Sequence, residues 1–290
     1  MIKHLVIPGG AIYGFSFYGA LKELNKNGTL DFEKIKTIHA TSVGCLLAVI
    51  LCLNYNWDEL DNYIIKRPWH TLFHFTLHSI LSSFLKNGMF DILIMKEMLL
   101  PLFNAKDVSI DITLQEFYNL NEIELHFFTI DLALFKLIDV SYKTFPNWTL
   151  MEAIYASACA PILFEPFKKD NIIYVDGGLL SNCPINELLN DSSIAPKIEE
   201  IFYINTLVNC EDGPQVTKEF NLLNYIILLF TKIITFHSKL LCIDPKIKRV
   251  LIKRTTIPLY DVFSIVNSKE QRIHLIEHGI QCVKDMINDS

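Results

Sequence analysis

The arrangement that most restricts the fold is a pair of strand–turn–helix units at the start of the chain. Residues 5–7 form a short apolar run that ends at a glycine-rich turn, and a helical pattern follows over about 15–25. A second apolar run over 36–41 leads directly into another helical pattern over about 43–53. Strands that alternate with helices in this way lie parallel in one sheet, with the helices packed on its faces. We therefore expect an α/β fold with a mainly parallel central sheet flanked by helices.

Later segments continue this pattern. Four further runs have the length of strands and lie at 124–129, 137–142, 172–175 and 200–205. Helical patterns occupy 149–159, about 220–241 and about 269–286. We expect a single domain over 1–290, with a motif-bearing core over about 5–190 and a helical C-terminal extension over about 215–290 packed on it.

Composition limits which cellular compartment and which classes of binding partner are expected. The chain has 290 residues, 51% of them hydrophobic, which is ample material for one large core. Its net charge is −6 and it has no strongly basic stretch, so nucleic acid is not expected as a partner. Seven scattered cysteines without a C-x-x-C pair indicate reduced thiols and a cytoplasmic location, with peripheral membrane attachment left open. Neither a secretory leader nor a membrane-spanning helix is expected.

A serine follows the second strand in a setting typical of a nucleophile. Residues 40–44 are Ala-Thr-Ser-Val-Gly, a variant of the G-x-S-x-G elbow in which a strand turns sharply into a helix. The small residues Ala40 and Gly44 support such a turn. Ser42 would stand at the helix N-terminus, where partial positive charge favours an oxyanion. An ordinary strand-to-helix turn is the alternative for this segment taken alone.

A carboxylate occupies a similar position after the strand at 172–175. Asp176 is followed by Gly177 and Gly178, and this run taken alone also fits a simple turn. An aspartate with an ordinary pKa of about 4 is a weak base at neutral pH. Partial burial raises that pKa, and a direct hydrogen bond from a serine would make the carboxylate a proton acceptor without any histidine.

The first turn offers a binding site for an anion. Gly9, Gly10 and Gly14 allow backbone amides to point towards an anion where the first helix begins. The run matches neither the G-x-G-x-x-G nucleotide fingerprint nor the P-loop, which needs a Lys-Ser/Thr pair. We interpret it as an oxyanion hole. Nucleophile, base and oxyanion hole together are the parts of a serine acyl hydrolase.

Four motifs in this order resemble the patatin-like phospholipase family. Members of that family carry G-G-G-x-R-G, G-x-S-x-G, A-S-x-x-x-P and D-G-G. This chain has counterparts at 9–14, 40–44, 156–161 and 176–178, and the similarity covers about residues 5–190. The resemblance implies a three-layer α/β fold with a mainly parallel central sheet.

The resemblance also implies a lipid acyl hydrolase of the phospholipase A or lysophospholipase type. Ser42 would be the nucleophile and Asp176 the base of a catalytic dyad that forms an acyl-enzyme. The oxyanion hole is assigned to the glycine-rich loop, at Gly9, Gly10, Ala11 and Gly14. No metal or organic cofactor is expected. The implied partners are a phospholipid or other lipid ester and a transient membrane surface.

The chain departs from the family at three motif positions. Ala11 stands in place of the third loop glycine, and Ala40 in place of the first elbow glycine. Tyr13 replaces the arginine, which removes a fixed positive charge beside the site. A non-catalytic lipid-binding relative of the same fold and an acyltransferase that uses the same dyad are the alternatives to a hydrolase.

Histidines suggest other chemistries with weaker support. Residues 274–278 match an H-x-x-E-H zinc signature, but the tail after them is too short to supply a distant third ligand. A histidine from this segment, or His237, could complete a triad, although none lies in a turn motif. His70, His74 and His78 follow one helical stripe, which we interpret as a face that packs or meets lipid.

The helix predicted at about 220–241 is amphipathic. Its apolar stripe is formed by Leu222, Ile226, Leu229, Ile233, Phe236 and Leu240. We expect this stripe to pack into the core. An interfacial or lid role at a lipid surface is the alternative.

Overall fold

The computed structural model describes residues 1–73, 86–208, 222–240, 243–255, 257 and 259–289. Its strands are β1 His4–Ile7, β2 Thr37–Ala40, β3 Gly88–Phe90, β4 Glu124–Asp131, β5 Lys136–Val140, β6 Ile162–Phe164, β7 Phe167–Lys169, β8 Ile172–Asp176, β9 Ile201–Val208 and β10 Lys248–Arg254. Its helices are α1 Gly14–Lys26, α2 Val43–Cys52, α3 Trp57–Lys66, α4 Ile92–Asn104, α5 Leu114–Asn121, α6 Leu150–Ala158, α7 Gly178–Ser181, α8 Ile185–Leu189, α9 Leu222–Leu240, α10 Leu259–Asn267 and α11 Lys269–Asn288.

The central sheet has the strand order β10-β9-β1-β2-β4-β8-β7, and β5 also pairs with β4. The five strands from β10 to β4 are parallel to their neighbours, which confirms the expected α/β fold with a mainly parallel sheet. β5, β7 and β8 are antiparallel to the strands they contact. Because β1 and β2 are parallel neighbours, the turns that follow them meet at one edge of the sheet.

The C-terminal segment predicted to be helical also contributes a strand. β10 lies within 215–290 and pairs in parallel with β9 along its whole length, so the prediction of helices alone is wrong there. Val250 and Ile252 of β10 are fully buried, whereas Lys248 and Lys253 are exposed. Charged residues at both ends leave only a short apolar centre, and this pattern is common on edge strands.

The last helix packs closely on the first. A Cβ atom added to Gly19 of α1 would lie 2.1 Å from the carbonyl oxygen of Ile276. One added to Gly279 of α11 would lie 1.8 Å from the carbonyl oxygen of Ser16. Glycine is therefore required on both helices at this crossing, which attaches α11 to the core.

The predicted amphipathic helix is present as α9, but its orientation differs from the expectation. Leu229 is 48% exposed and Phe236 is 61% exposed, so the prediction that this stripe packs into the core is wrong for these residues. Phe230 and Ile234, on another face of α9, pack instead against the buried cluster that contains Leu179. The helix has two apolar faces, and the fold buries the second one.

The cysteines and the histidine stripe lie partly outside the described residues. Five cysteines in the described ranges are free thiols, four of them buried, while Cys210 and Cys242 lie outside those ranges. His74 and His78 of the histidine stripe also lie outside them. No helix among the described residues is both long and apolar enough to cross a bilayer.

Candidate active site

Ser42 stands at a strained strand-to-helix turn. Its backbone angles are φ 56° and ψ −125°, and a non-glycine residue in such a region costs about 1–3 kcal/mol. β2 ends at Ala40 and α2 begins at Val43, so Ser42 is the N-cap residue of α2. A Cβ atom on Gly44 would lie 2.4 Å from the carbonyl oxygen of Ile7. Glycine is therefore needed where α2 passes β1, as a nucleophile elbow requires.

A buried serine, Ser157, holds this turn in place. The backbone amide of Ser42 donates to Ser157 Oγ over 3.0 Å, and the Ser157 hydroxyl donates to the carbonyl oxygen of Phe128 over 2.6 Å. The Cys45 thiol donates to the same Oγ over 3.2 Å. Ser157 belongs to the small-residue motif at 156–161. That motif therefore connects the elbow to α6 and β4.

The register of the sheet brings Asp176 level with Ser42. Ala40 at the end of β2 pairs with Phe127 of β4, and Asp176 at the end of β8 pairs with Thr129 of β4. Ser42 lies two residues beyond Ala40, and Thr129 lies two residues beyond Phe127. The serine and the carboxylate thus reach the same level at the sheet edge from the two strands that flank β4.

Burial makes Asp176 a stronger base than an ordinary aspartate. Its side chain is buried, and desolvation raises its pKa to about 6. Two hydrogen bonds partly oppose this shift, one from the Gly178 amide to Oδ1 over 2.7 Å and one from the Ser42 hydroxyl. At neutral pH the carboxylate is still mostly ionised, which is the state that accepts a proton from a serine.

The glycine-rich loop runs beside Ser42. A Cβ atom on Gly9 would lie 3.2 Å from the Cβ of Ser42. The Gly9 amide donates to the Asn182 carbonyl over 2.9 Å, and the Asn182 side-chain amide donates back to the Gly9 carbonyl over 3.1 Å. Within the described ranges the amides of Gly10 and Ala11 have no acceptor. Of the predicted oxyanion-hole positions, these two therefore offer free donors.

The other loop positions act through their conformation and size. Gly14 begins α1 with its amide bonded to the Ala11 carbonyl, and a Cβ atom there would lie 2.4 Å from Val43 Cγ2. Gly14 thus allows the loop to pack on the elbow. Ala11 has φ 47°, a left-handed conformation that costs a non-glycine residue about 1–2 kcal/mol. Ala11 stands where the family has its third loop glycine, and its backbone adopts the positive φ that glycine favours.

Two cavities meet at Ser42. The first has a volume of about 220 Å³ and is lined almost entirely by apolar side chains, among them Leu46, Met95 and Phe164. The second has a volume of about 230 Å³ and also contains Asp176, Asn182 and Arg254. Ser42 therefore lies between an apolar cavity and a second one, here called the polar cavity because it also contains the charged groups of the site, although most of its lining is apolar.

The histidines considered for a triad do not reach these cavities. None of His237, His274 and His278 lines either cavity. His278 contacts the Ser16 hydroxyl through Nδ1 at 3.3 Å and the Cys282 thiol through Nε2 at 3.6 Å. The 274–278 segment therefore packs α11 on α1 in this fold.

A network of histidine and carboxylate side chains joins β2, β4 and β5. The rings of His39 and His126 stack with centroids 4.2 Å apart. His126 contacts Asp139 at 2.7 Å through Nδ1 and Glu124 at 3.0 Å through Nε2. Ligand atoms of His39, His126 and Asp191 lie within 4.8 Å of one another. Because both ring nitrogens of His126 already bond carboxylates, a metal ion would have to displace one of them. We call His126, Glu124 and Asp139 the ion-pair network.

Comparison with known families identifies the chain. A family model described as Patatin-like phospholipase matches residues 5–189. This chain belongs to the patatin-like phospholipase family. The match contains the glycine-rich loop, the elbow and Asp176, so the resemblance drawn from the four motifs is confirmed. Family membership supports lipid hydrolysis as the reaction class.

Two viral proteins are similar to the same part of the chain. Probable lipid hydrolase 463L of Invertebrate iridescent virus 6 is 28% identical over 186 residues, which are 63% of this chain and 62% of that protein. Uncharacterized protein R571 of Acanthamoeba polyphaga mimivirus is 28% identical over 184 residues, which are 63% of this chain and 60% of that protein. The matched part thus spans about three fifths of these relatives.

A solved structure shares the patatin fold. VipD from Legionella pneumophila matches 99% of this chain and 67% of its own chain, with a TM-score of 0.59 and 14% sequence identity. At this identity the likeness concerns the fold alone.

The roles of three residues at the site could not be predicted from the sequence. Ser157 and Asn182 lie in segments that match the family, but no local pattern shows that they hold the elbow and the glycine-rich loop. Arg254 has no signal at all, because its strand is not predicted and its neighbour in space is Gly10, far away in sequence.

Proposed function

We propose that this protein hydrolyses a fatty-acyl ester of a glycerophospholipid or lysophospholipid through a Ser42–Asp176 dyad. The observation that carries the proposal is the buried Asp176 carboxyl beside the elbow serine, with a pKa raised to about 6 by desolvation. Family membership and the similarity to a probable lipid hydrolase support the same reaction class.

The first half-reaction forms an acyl-enzyme. Ser42 Oγ attacks the ester carbonyl carbon as its proton passes to Asp176. The carbonyl oxygen becomes an oxyanion and accepts hydrogen bonds from the amides of Gly10 and Ala11, at the positive end of α2. When the tetrahedral intermediate collapses, the bond to the alcohol oxygen breaks. The leaving alcohol takes the proton from Asp176, and the acyl group remains on Ser42.

The second half-reaction releases the fatty acid. Asp176 takes a proton from water as the water oxygen attacks the acyl carbon, and the same amides hold the oxyanion. The bond between Ser42 Oγ and the acyl carbon then breaks, and Oγ recovers the proton from Asp176. An alcohol in place of water would give acyl transfer, so product analysis with added lysolipid separates the two activities.

The apolar cavity supports a long acyl chain as the substrate group. It begins at Ser42 and is walled by side chains of α2, α4 and α10, including Leu47, Leu99 and Phe263. A fatty-acyl chain in this space would exclude water from the carbonyl and gain roughly 0.8 kcal/mol for each buried methylene. Short acyl chains should therefore be poorer substrates.

The outer face of α9 supports contact with a membrane surface. Leu229 and Phe236 are exposed on this helix, while Thr231 and Ile234 of the same helix line the catalytic cavity. The β4–β5 turn exposes Phe135 at the same edge of the sheet. Apolar side chains around the entrance of a site for lipids would insert into the interface of a bilayer.

The decisive experiment measures fatty-acid release from mixed phospholipid vesicles. We expect release by the wild-type protein and a loss of at least about 10³-fold in Ser42→Ala, because no other group replaces the nucleophile. Equal vesicle binding by both proteins, with no release by either, would instead identify a lipid-binding relative. For the membrane surface, Leu229→Ser should weaken vesicle binding, whereas Leu120→Ser, an exposed leucine on α5, serves as the matched control.

A further inference from the structure

Arg254 lies next to the oxyanion loop although it is far from it in sequence. It is the last residue of β10, whose parallel pairing with β9 ends at Arg254 and Val208. A Cβ atom on Gly10 would lie 3.3 Å from an Arg254 guanidinium nitrogen. The guanidinium carbon is 5.7 Å from the centroid of the Tyr13 ring.

Tyr13 fixes the end of β10 at this position. The Thr255 backbone amide donates to the Tyr13 hydroxyl over 2.9 Å, and the Thr255 hydroxyl lies 3.1 Å from the same oxygen. Thr255 directly follows Arg254. The residue that replaces the loop arginine of the family thus holds an arginine from another strand beside the loop.

Among the residues that the structure describes, the Arg254 guanidinium has no counterion. No carboxylate among the described residues pairs with it, and its Nε is buried without a hydrogen-bond partner. Burial lowers the pKa of this group to about 10, which leaves it charged at neutral pH. It does not contribute to the shifted pKa of Asp176. A partly desolvated cation without a partner among these residues is costly for a fold, so an anionic ligand in the cavity that Arg254 lines would stabilise it.

The position of this charge specifies where that anion would bind. Arg254 lines the polar cavity together with Ser42, Asp176 and Asn182 and is absent from the lining of the apolar cavity. With the acyl chain in the apolar cavity, the alcohol part of the ester occupies the polar one. In a glycerophospholipid that part carries a phosphate only a few bonds from the scissile carbonyl.

We propose that Arg254 is the phosphate-binding residue of the catalytic cavity and holds the phosphodiester of a glycerophospholipid beside Ser42. The assignment rests on the proposed hydrolysis for the orientation of the substrate. Arg254 then selects esters with an anionic leaving group over neutral ones. A guanidinium suits this task because it donates paired hydrogen bonds to phosphate oxygens.

The test compares an anionic phospholipid with the neutral lipid that lacks its phosphodiester headgroup. Phosphatidylglycerol and the diacylglycerol with the same long acyl chains are presented in the same neutral detergent micelles to wild type, Arg254→Gln and Arg254→Lys. We expect kcat/KM for the phospholipid, divided by that for diacylglycerol, to fall roughly 10- to 100-fold in Arg254→Gln, since a charge-assisted hydrogen bond is lost. Arg254→Lys should recover part of the ratio. Arg249→Gln, on the same strand and bonded to Tyr203, is the matched control.

Binding separates this assignment from the proposed hydrolysis. In a Ser42→Ala background, Arg254→Gln should weaken phosphatidylglycerol binding by a similar factor and diacylglycerol binding much less. If wild type cleaves neither lipid but this binding difference persists, hydrolysis is wrong and the phosphate site stands. Equal losses for both lipids, or no loss for either, would overturn the phosphate site. Competition by inorganic phosphate at micromolar concentration would instead indicate a site for the free ion.

Discussion

Asp176 and His126 of the ion-pair network are two buried titratable side chains whose pKa values rise for opposite reasons. At Asp176 desolvation dominates and raises the carboxyl pKa to about 6. At His126 desolvation lowers the pKa, but Asp139 and Glu124 outweigh it and raise the pKa to about 9. His39, stacked on His126 without a partner at Nδ1, has its pKa lowered by burial and by that charge.

The comparison separates two kinds of buried charge in one sheet. The charge of His126 stabilises the fold, whereas the charge of Asp176 is the one that the proposed mechanism uses. His126 is buried with both nitrogens satisfied, so its positive charge contributes to the stability of the fold. Asp176 has hydrogen bonds but, within the described part of the chain, no cation that compensates its charge, so its ionised form destabilises the fold at neutral pH. The raised pKa that results suits the role of base proposed for Asp176.

The largest expected contrast is in activity. Asp176→Asn should lower kcat/KM for phospholipid by at least about 10³-fold, because Ser42 loses its proton acceptor. His126→Gln should change it by less than about tenfold, since this ring does not line the catalytic cavities. Fatty-acid release measured with folded protein at equal concentration checks both. Comparable losses in the two variants would remove the distinction between the sites.

The next contrast is in stability at neutral pH. His126→Gln should lower the free energy of unfolding by about 2 kcal/mol, because the half-buried Asp139 loses its cation and Glu124 keeps only Lys143. The raised pKa of His126 means that this stabilisation is complete below about pH 6.5 and disappears as the pH rises through about 9. Urea unfolding at pH 7 and pH 10 should thus show a smaller difference between wild type and variant at pH 10. An unchanged difference would contradict the assignment.

Asp176→Asn should change stability in the opposite direction. The raised pKa means that the folded state binds a proton more tightly than the unfolded chain, so wild-type stability falls as the pH rises from about 4 to about 6. The variant avoids this loss and should be about 2 kcal/mol more stable at pH 7.5. Its advantage should disappear near pH 3. A variant less stable than wild type at pH 7.5 would show that hydrogen bonds outweigh desolvation at Asp176.

The smallest effect is the pH dependence of wild-type activity. Below about pH 6 the Asp176 carboxylate is increasingly protonated, so kcat/KM should fall by about tenfold per pH unit. The profile is best measured with a neutral soluble ester, whose own charge does not change. Activity that stays constant down to pH 4.5 would exclude a base with a raised pKa.

Local sequence was sufficient to predict those parts of the fold whose geometry depends on adjacent residues. The strand before 40–44, the elbow with Gly44 and the turn at 176–178 follow from short segments, because a sharp turn needs small residues at defined places. The alternation of strands and helices was equally sufficient for a parallel sheet. The family and its expected dyad followed from the order of these motifs.

Only the tertiary structure determines which distant segments come together at the candidate site. The register of β4 brings Asp176 level with Ser42, and the edge position of β10 places Arg254 beside Gly10. The sequence did not predict which face of α9 is exposed, because the helix has two apolar faces. Which face is buried depends on the core surface against which the helix packs. Burial, unlike residue type, is a property of the whole fold. The raised pKa of Asp176 and the unpaired charge of Arg254 therefore have no counterpart in the sequence pattern.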